Sequence, residues 1–219
     1  MPKTGTMFIV FEGLDSSGKE TQAKLLEKAL KKKGFKVMHI DFPDYKGPIG
    51  KLIKRFLEKK ADVDDGTLAL LYAADRRHHQ KHIEKALEEE KVVIVDRYIY
   101  SNIAYQGVFP NISVNWLASI ESNVIFPDLV FLVDVPVKET MKRKKKKDRY
   151  ERNKEMLEKV RESYIEMANG TMAPFRKYGD YSEWIIIDGT KSIEDIHKTI
   201  LKEVLARIPR KDILKEFEE

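Results

Sequence analysis

The sequence predicts an α/β protein: a three-layer, doubly wound, five-stranded parallel sheet formed as one domain over residues 1–219. Three observations predict it. Apolar runs of strand length alternate with stretches whose apolar residues recur at helical spacing. The run Lys91 to Val95, KVVIV, is apolar on both faces, as a central parallel strand must be. Strands repeatedly stop at Gly, Pro or Asp, which gathers polar groups at the carboxyl edge of a sheet, where ligands sit in folds of this kind.

The first strand is Phe8 to Phe11, broken at Gly13, and the first helix opens at Lys19 with Ala23, Leu25, Leu26 and Leu30 at helical spacing. That helix ends near Lys33-Gly34, and Phe35 to Ile40 forms a second strand that stops at Asp41-Phe42-Pro43. Pro48 starts a helix through about Glu58, and Asp62 to Asp65 caps a long one from Thr67 to Glu90. Lys91 to Val95 ends at Asp96. A helical stretch, a loop at Phe109-Pro110 and a helix around Ser113 to Glu121 lead to the fourth strand, Leu129 to Val133. A basic segment and a helix to Ala168 precede the fifth strand, Trp184 to Ile187, which ends at Asp188. Ser192 caps a closing helix to Arg207, and Lys211 to Glu219 reads as a short frayed helix.

Composition excludes several classes. Hydrophobic residues at 42% place the chain well above the disorder boundary, and no apolar run approaches the roughly 20 residues that span a bilayer. The first residues, MPKTGTM, carry no apolar signal core, so a cytoplasmic protein is expected. The absence of cysteine removes disulfides, thiolate metal sites and a cysteine nucleophile. The net charge of +5 is small beside 41 basic and 36 acidic side chains, so its distribution matters more than its sign. Met141 to Lys154, MKRKKKKDRYERNK, sets a run of Lys and Arg against only Asp148 and Glu151. It has three readings: a solvated helix face, a nucleic-acid patch, or a lid over a polyphosphate.

Gly13, Gly18 and Lys19 fit the spacing of a phosphate loop. Glycines there let backbone N–H groups turn inward as an anion nest at a helix N-terminus, and the lysine reaches the outer phosphates. Such a helix-start lysine is expected to be exposed when no ligand is bound. The Ser or Thr that normally follows, a Mg²⁺ ligand, is replaced by Glu20, with Thr21 one place later. An ordinary strand-to-helix turn with two glycines is the alternative. The other strand ends carry Phe42-Pro43, Asp96-Arg97-Tyr98, Asp134 and Asp188, and carboxylates beside phosphate binders suit metal-assisted phosphoryl transfer. His78, His79 and His82 read as a solvated face of the long helix, and Tyr98 and Tyr100 as packing residues.

The run DRYIYSNIAYQG, Asp96 to Gly107, with EGLDSSGKETQ at Glu12 to Gln22, FPDYKGPIGKLI, LLYAADRR and DRYE at Asp148 to Glu151, resembles the thymidylate kinases, P-loop enzymes that phosphorylate dTMP with ATP. The resemblance spans Phe8 to about Ala206 and implies a single P-loop kinase domain whose lid is the segment of about 141–154. It implies an ATP site formed by Gly13, Leu14, Asp15, Ser16, Ser17, Gly18, Lys19, Glu20, Thr21 and the lid residue Arg143. Asp15 would orient the acceptor, and Arg97 and Arg76 would surround the dTMP phosphate. Phe42 and Tyr72, with Pro43, would wall the thymine, Asn102 would meet its edge, and Tyr105 would pack on the deoxyribose, beside Ser101 and Gln106. Asp96, with Glu20, would lie at Mg²⁺.

Both loop positions that carry an arginine in some members are serines here, Ser16 and Ser17, so the catalytic cation is expected from the lid at Arg149, alongside Asp15, Lys19 and Arg97. A homodimer is expected, with ATP and dTMP as partners and neither a membrane nor a nucleic acid. The rival readings are another nucleoside monophosphate or deoxynucleoside kinase, and a non-catalytic P-loop protein that binds nucleotides or nucleic acid.

Overall fold

The computed structural model describes residues 5–58, 60–143 and 153–209. The elements, in order, are β1 (Met7–Glu12), α1 (Lys19–Lys32), β2 (Val37–Asp41), α2 (Pro48–Leu57), α3 (Asp65–Glu88), β3 (Val92–Asp96), α4 (Ile99–Gln106), α5 (Val114–Glu121), β4 (Leu129–Asp134), α6 (Val137–Arg143), α7 (Lys154–Ala168), β5 (Glu183–Asp188) and α8 (Ile193–Arg207). A turn of 3₁₀ helix, Arg176–Tyr178, was not anticipated. The five strands are all parallel in the order β2-β3-β1-β4-β5. The lid expectations for Lys144 to Lys147, Arg149, Tyr150 and Glu151, and the expected C-terminal helix from Lys211, lie outside the described residues.

Alternation along each strand sorts the core into two layers. Phe8 and Val10 of β1 face one side with Val93, Val95, Val130 and Leu132, under Ile83 and Ala86 of α3, Ile103 of α4, Leu117 of α5 and Val160 of α7. Met7, Ile9 and Phe11 face the other side, covered by Ala23, Leu26 and Leu30 of α1 and Ile196, Ile200 and Val204 of α8. Helices thus cover both faces, which explains why β1, β3 and β4 are buried throughout nearly their whole length. Helix α2 is held to α3 by a smaller cluster that joins Phe56 to Leu68, with Leu57 and Tyr72 against it.

Local chemistry sets the boundaries. Strand β2 begins two residues after the expected Phe35 because Phe35 completes the cap of α1. Its N–H reaches Leu30 O (3.1 Å) and that of Gly34, at φ +88°, reaches Lys31 O (3.0 Å), the paired bonds of a Schellman ending. Asp64 caps α3 by accepting from Thr67 N (2.9 Å), Asn153 caps α7 from Met156 N (3.1 Å), and Ser192 caps α8 from Asp195 N (3.1 Å). Asp96 is the last residue of β3, in register with Phe11 and Asp41, and the residue before α4 is Tyr98. The chain leaves β1 for β2, returns to β3 beside β1, and then crosses to β4 on the other side. The carboxyl end of β1 is therefore the switch point of the sheet, the place where such folds open a crevice.

Strand β2 is pinned to α1 by one titratable group. His39 Nδ1 lies 2.7 Å from Glu27 Oε2 and its Nε2 lies 3.1 Å from Asp41 Oδ1. Burial disfavours the imidazolium, but the two carboxylates outweigh it and hold the His39 pKa above its ordinary value. A raised histidine contributes stability that is fully present below its unfolded pKa, about 6.5, and is lost as pH rises through the higher folded value. His39→Gln should therefore lower the urea midpoint most at about pH 6, with the gap from wild type shrinking by about pH 9. An equal gap at both pH values would remove the charged pin.

Candidate active site

The crevice at the end of β1 holds two adjoining cavities. One, of about 330 Å³, lies between the loop after β1, the turn after β2, and helices α3 and α4. All the residues expected to meet the acceptor line it: Asp15, Phe42, Pro43, Tyr72, Arg76, Arg97, Ser101, Asn102, Tyr105 and Gln106, together with Lys19, Glu20 and Asp96. The other, of about 570 Å³, is lined by Asp15, Ser16, Ser17, Gly18, Lys19, Glu20 and Thr21, and beyond them by Arg143, Gly189, Lys191 and Ile193. Asp15, Lys19 and Glu20 belong to both.

The loop between β1 and α1 is shaped by three residues with positive φ: Gly13 (+140°), Ser16 (+62°) and Gly18 (+102°). Gly13 lines neither cavity; it lets the loop lie on β4, since a Cβ there would sit 2.6 Å from Val133 O. Leu14 lines neither cavity and is anchored in the core. Helix α1 starts after Gly18 with no side-chain cap, which leaves its first-turn N–H groups for an anion. Lys19 is 7% exposed, a correction to the expectation of an exposed lysine: its Nζ sits 3.5 Å from Asp15 Oδ1 and 3.9 Å from Asp96 Oδ1. Two carboxylates fold the side chain back into the crevice.

Asp96 is buried, and its Oδ1 has no hydrogen-bond partner among the described residues. Burial pushes its carboxyl above the usual range, against the Lys19 and Arg97 charges that pull it down, so a further cation beside it would be favoured. It caps no helix, since the residue before α4 is Tyr98. Glu20 stands at the exposed rim and pairs with Lys24 one turn along α1. Asp134 and Asp188, read as site carboxylates from their strand ends, serve structure instead. Asp134 takes a two-pronged pair from Arg161 of α7 (2.7 Å and 2.7 Å), and Asp188 accepts from Thr190 N and Oγ1 (3.0 and 2.6 Å) in the following turn.

Arg97 sits at φ +66°, an uncommon conformation for a long side chain, and is held from several sides. Its Nη2 pairs with Asp15, and its Nη1 donates to Ser101 Oγ (3.1 Å) and Tyr164 OH (3.3 Å), while the guanidinium lies over the Tyr105 ring at 5.1 Å. Both hydroxyls in turn donate to Glu12 Oε2, at 2.7 and 2.9 Å, and Tyr98 N donates to Glu12 Oε1 at 2.8 Å. Glu12 is fully buried, and burial pushes its carboxyl above the usual range. Sequence reading missed Glu12 as a site element, although it is the acidic end of an otherwise apolar strand. Tyr164 carried no signal, because its contact spans more than sixty positions of chain.

Arg76 is placed differently from Arg97. It is 2% exposed and pairs with buried Glu121 through Nε (3.1 Å) and Nη2; it has no described contact with the phosphate loop, and it lies 5.9 Å from the Tyr72 ring. Asn102 joins the same carboxylate at 2.7 Å. Phe42 is buried against Tyr98 and His79. His78 and His82 are exposed as expected, but His79 is half-buried on Phe42, with Nε2 3.3 Å from Asp44 Oδ2. Tyr98 and Tyr100 are core residues as expected. Arg143 reaches across the second cavity, with Nη1 3.4 Å from Ser16 O and 3.3 Å from Ser17 O and Nη2 3.1 Å from Gly189 O. Arg149 lies outside the described residues.

Comparison with known proteins agrees with this arrangement. The family model for thymidylate kinase matches residues 11–200. A probable thymidylate kinase from Methanocaldococcus jannaschii is 42% identical over 196 residues, 89% of this chain and 94% of that protein. A thymidylate kinase from Plasmodium falciparum is 37% identical over 197 residues, 90% of this chain and 89% of the relative. The solved structure of a Candida albicans thymidylate kinase, described as having broad substrate specificity, superposes with a TM-score of 0.77 at 29% identity over 92% of each chain. With the family model matching residues 11–200 and relatives about 40% identical over most of its length, the chain belongs to the thymidylate kinase family.

Proposed function

We propose that this protein transfers the γ-phosphoryl group of ATP to the phosphate of dTMP, giving dTDP. The observation that carries the reading is that the two cavities meet at Lys19: the phosphate-loop cavity suits the nucleoside triphosphate, and the aromatic-walled cavity suits the monophosphate. The outer phosphate of one ligand and the phosphate of the other then converge where Asp15, Lys19 and Arg97 meet, as in-line transfer requires. The acceptor oxygen is already anionic, so no general base is needed. Lys19 follows the charge that builds on the transferring group. Arg97 presents a planar fork to the acceptor phosphate, and Asp15 aligns both cations.

Asp96 fits a Mg²⁺ ion through its buried Oδ1, which has no hydrogen-bond partner among the described residues, and Glu20 at the rim is a further oxygen donor lining the same cavity. When bound, the ion neutralises charge on the donor phosphate oxygens. At the far side Phe42 and Tyr72 wall the base, Tyr105 crowds the sugar, and Arg76 with Asn102 meets the edge of the base rather than the phosphate. Arg143 lies along the triphosphate cavity, and Arg149 supplies the cation that Ser16 and Ser17 cannot. The family resemblance supports a cytoplasmic homodimer, and among the described residues no helix is long and apolar enough to cross a membrane.

Lys19→Ala should lower the single-turnover rate at saturating ATP and dTMP by about 10²–10³, the scale for losing one electrostatic contact to a transition state, while the protein stays folded by circular dichroism. A near wild-type rate would end the phosphate-loop assignment. Tyr105→Ala should weaken dTMP and raise the relative kcat/KM of the ribonucleotide, because a steric exclusion is lost; an unchanged deoxy-to-ribo ratio places that gate elsewhere. Arg149→Ala should collapse the single-turnover rate by ~10³–10⁵ with little change in ATP affinity, and adding Ser16→Arg should recover part of it. An intact rate in Arg149→Ala would leave Lys19 and the metal as sufficient.

A further inference from the structure

The wall of the acceptor cavity opposite the phosphate loop rests on a carboxylate that does not line the cavity. Glu121, at the end of α5, has no exposure, and three bonds converge on it: Arg76 Nε to Oε2 (3.1 Å), Arg76 Nη2 to Oε1, and Asn102 Nδ2 to Oε1 (2.7 Å). Arg76 and Asn102 both line the cavity. We propose that Glu121 is a positioning residue that sets the hydrogen-bonding polarity of this wall, and through it the preference for a 4-oxo over a 4-amino pyrimidine monophosphate. The inference rests on the reading of this cavity as the dTMP site.

The polarity follows from donor and acceptor counting. Arg76 spends Nε and one N–H of Nη2 on Glu121, so the groups left over, both N–H of Nη1, which has no hydrogen bond to a described residue, and the second of Nη2, are all donors. The two groups that face the amide of Asn102 on the protein side, Glu121 Oε1 and Ala69 O (3.1 Å), are both acceptors. Only the NH₂ end can satisfy them, which turns Oδ1 away, and Oδ1 is buried with no hydrogen-bond partner among the described residues. The wall therefore offers a donor from Arg76 beside an acceptor from Asn102. A 4-oxopyrimidine presents the matching pair, an O4 acceptor beside an N3–H donor. Cytosine presents the reverse, an N4–H₂ donor beside an N3 acceptor, and both contacts are then like against like. A site built to hydrogen-bond one pattern can reject an analogue by ~10⁴–10⁵, because buried polar groups are left unpaired.

Glutamine at position 121 has the same shape but one acceptor instead of two, so it cannot serve Arg76 Nε, Arg76 Nη2 and Asn102 Nδ2 together. Aspartate keeps the charge but withdraws it by one methylene. The experiment measures kcat/KM for dTMP, dUMP and dCMP in wild type, Glu121→Gln and Glu121→Asp. The dTMP-to-dCMP ratio should fall at least about tenfold in the glutamine variant and move the same way in the aspartate variant, while the dTMP-to-dUMP ratio holds, since those two bases share one edge. Each ratio is taken within one sample, so it does not depend on the fraction of molecules folded. A dTMP-to-dCMP ratio unmoved in the variants overturns the inference, and so does a parallel loss of all discrimination, which marks simple loosening. Wild-type protein with no dTMP turnover overturns the underlying reading of the cavity, a result separable from wild-type activity with an unmoved ratio.

Discussion

The carboxylate of Glu12 is the constraint on which the catalytic crevice depends. A parallel sheet covered by helices on both faces has no solvated face, so a charge on its central strand must be satisfied by protein groups. Glu12 is satisfied by the backbone of Tyr98 and by the hydroxyls of Ser101 and Tyr164, and those hydroxyls are then free only to accept, which they do from Arg97. One buried negative charge thus fixes the start of the phosphate loop, the turn after β3 and the inner side of α7 relative to one another. It also accounts for Arg97 at positive φ: the surrounding bonds over-determine a conformation the chain would otherwise avoid.

The same logic recurs around the crevice with different partners. Arg76 and Glu121 are a buried pair, and removing one member of such a pair costs about 3–5 kcal/mol because the other charge is left stranded. Lys19 is drawn inward by Asp15 and Asp96, which keeps the ammonium at the junction of the two cavities before any ligand arrives. Preorganisation of this kind places the reorganisation cost in folding rather than in the chemical step. Asp96 differs from these pairs. Its inner oxygen has no hydrogen-bond partner among the described residues.

Arg143 shows how the two sides of the phosphate-loop cavity are joined. Its guanidinium spans from the carbonyls of Ser16 and Ser17 to that of Gly189, so the end of α6, the phosphate loop and the turn before α8 meet at one side chain. Gly189 lets the turn after β5 lie against the end of β4, since a Cβ there would lie 2.4 Å from Val135 Cγ2. This bridge, like the Glu12 network, ties segments far apart in the chain.

Local sequence was enough for the architecture and for naming residues that line the first cavity. Periodicity separates strands from helices, glycine and proline mark their ends, and the phosphate loop and the Asp96-Arg97-Tyr98 run lie within single stretches of chain, where spacing alone is informative. Errors there were of one or two residues, as at Phe35, whose backbone was needed by the helix before it. Tertiary structure alone decided which charges are paired. Glu121 against Arg76 and Tyr164 against Glu12 join residues 45 and 152 positions apart, and no local pattern encodes such a contact. Equivalent-looking aspartates at strand ends diverged for the same reason. Asp96 faces the crevice, Asp134 is taken by Arg161 from a helix packed across it, and Asp188 is turned onto Thr190, because burial and partner supply are properties of the packed molecule and not of the strand that carries the residue.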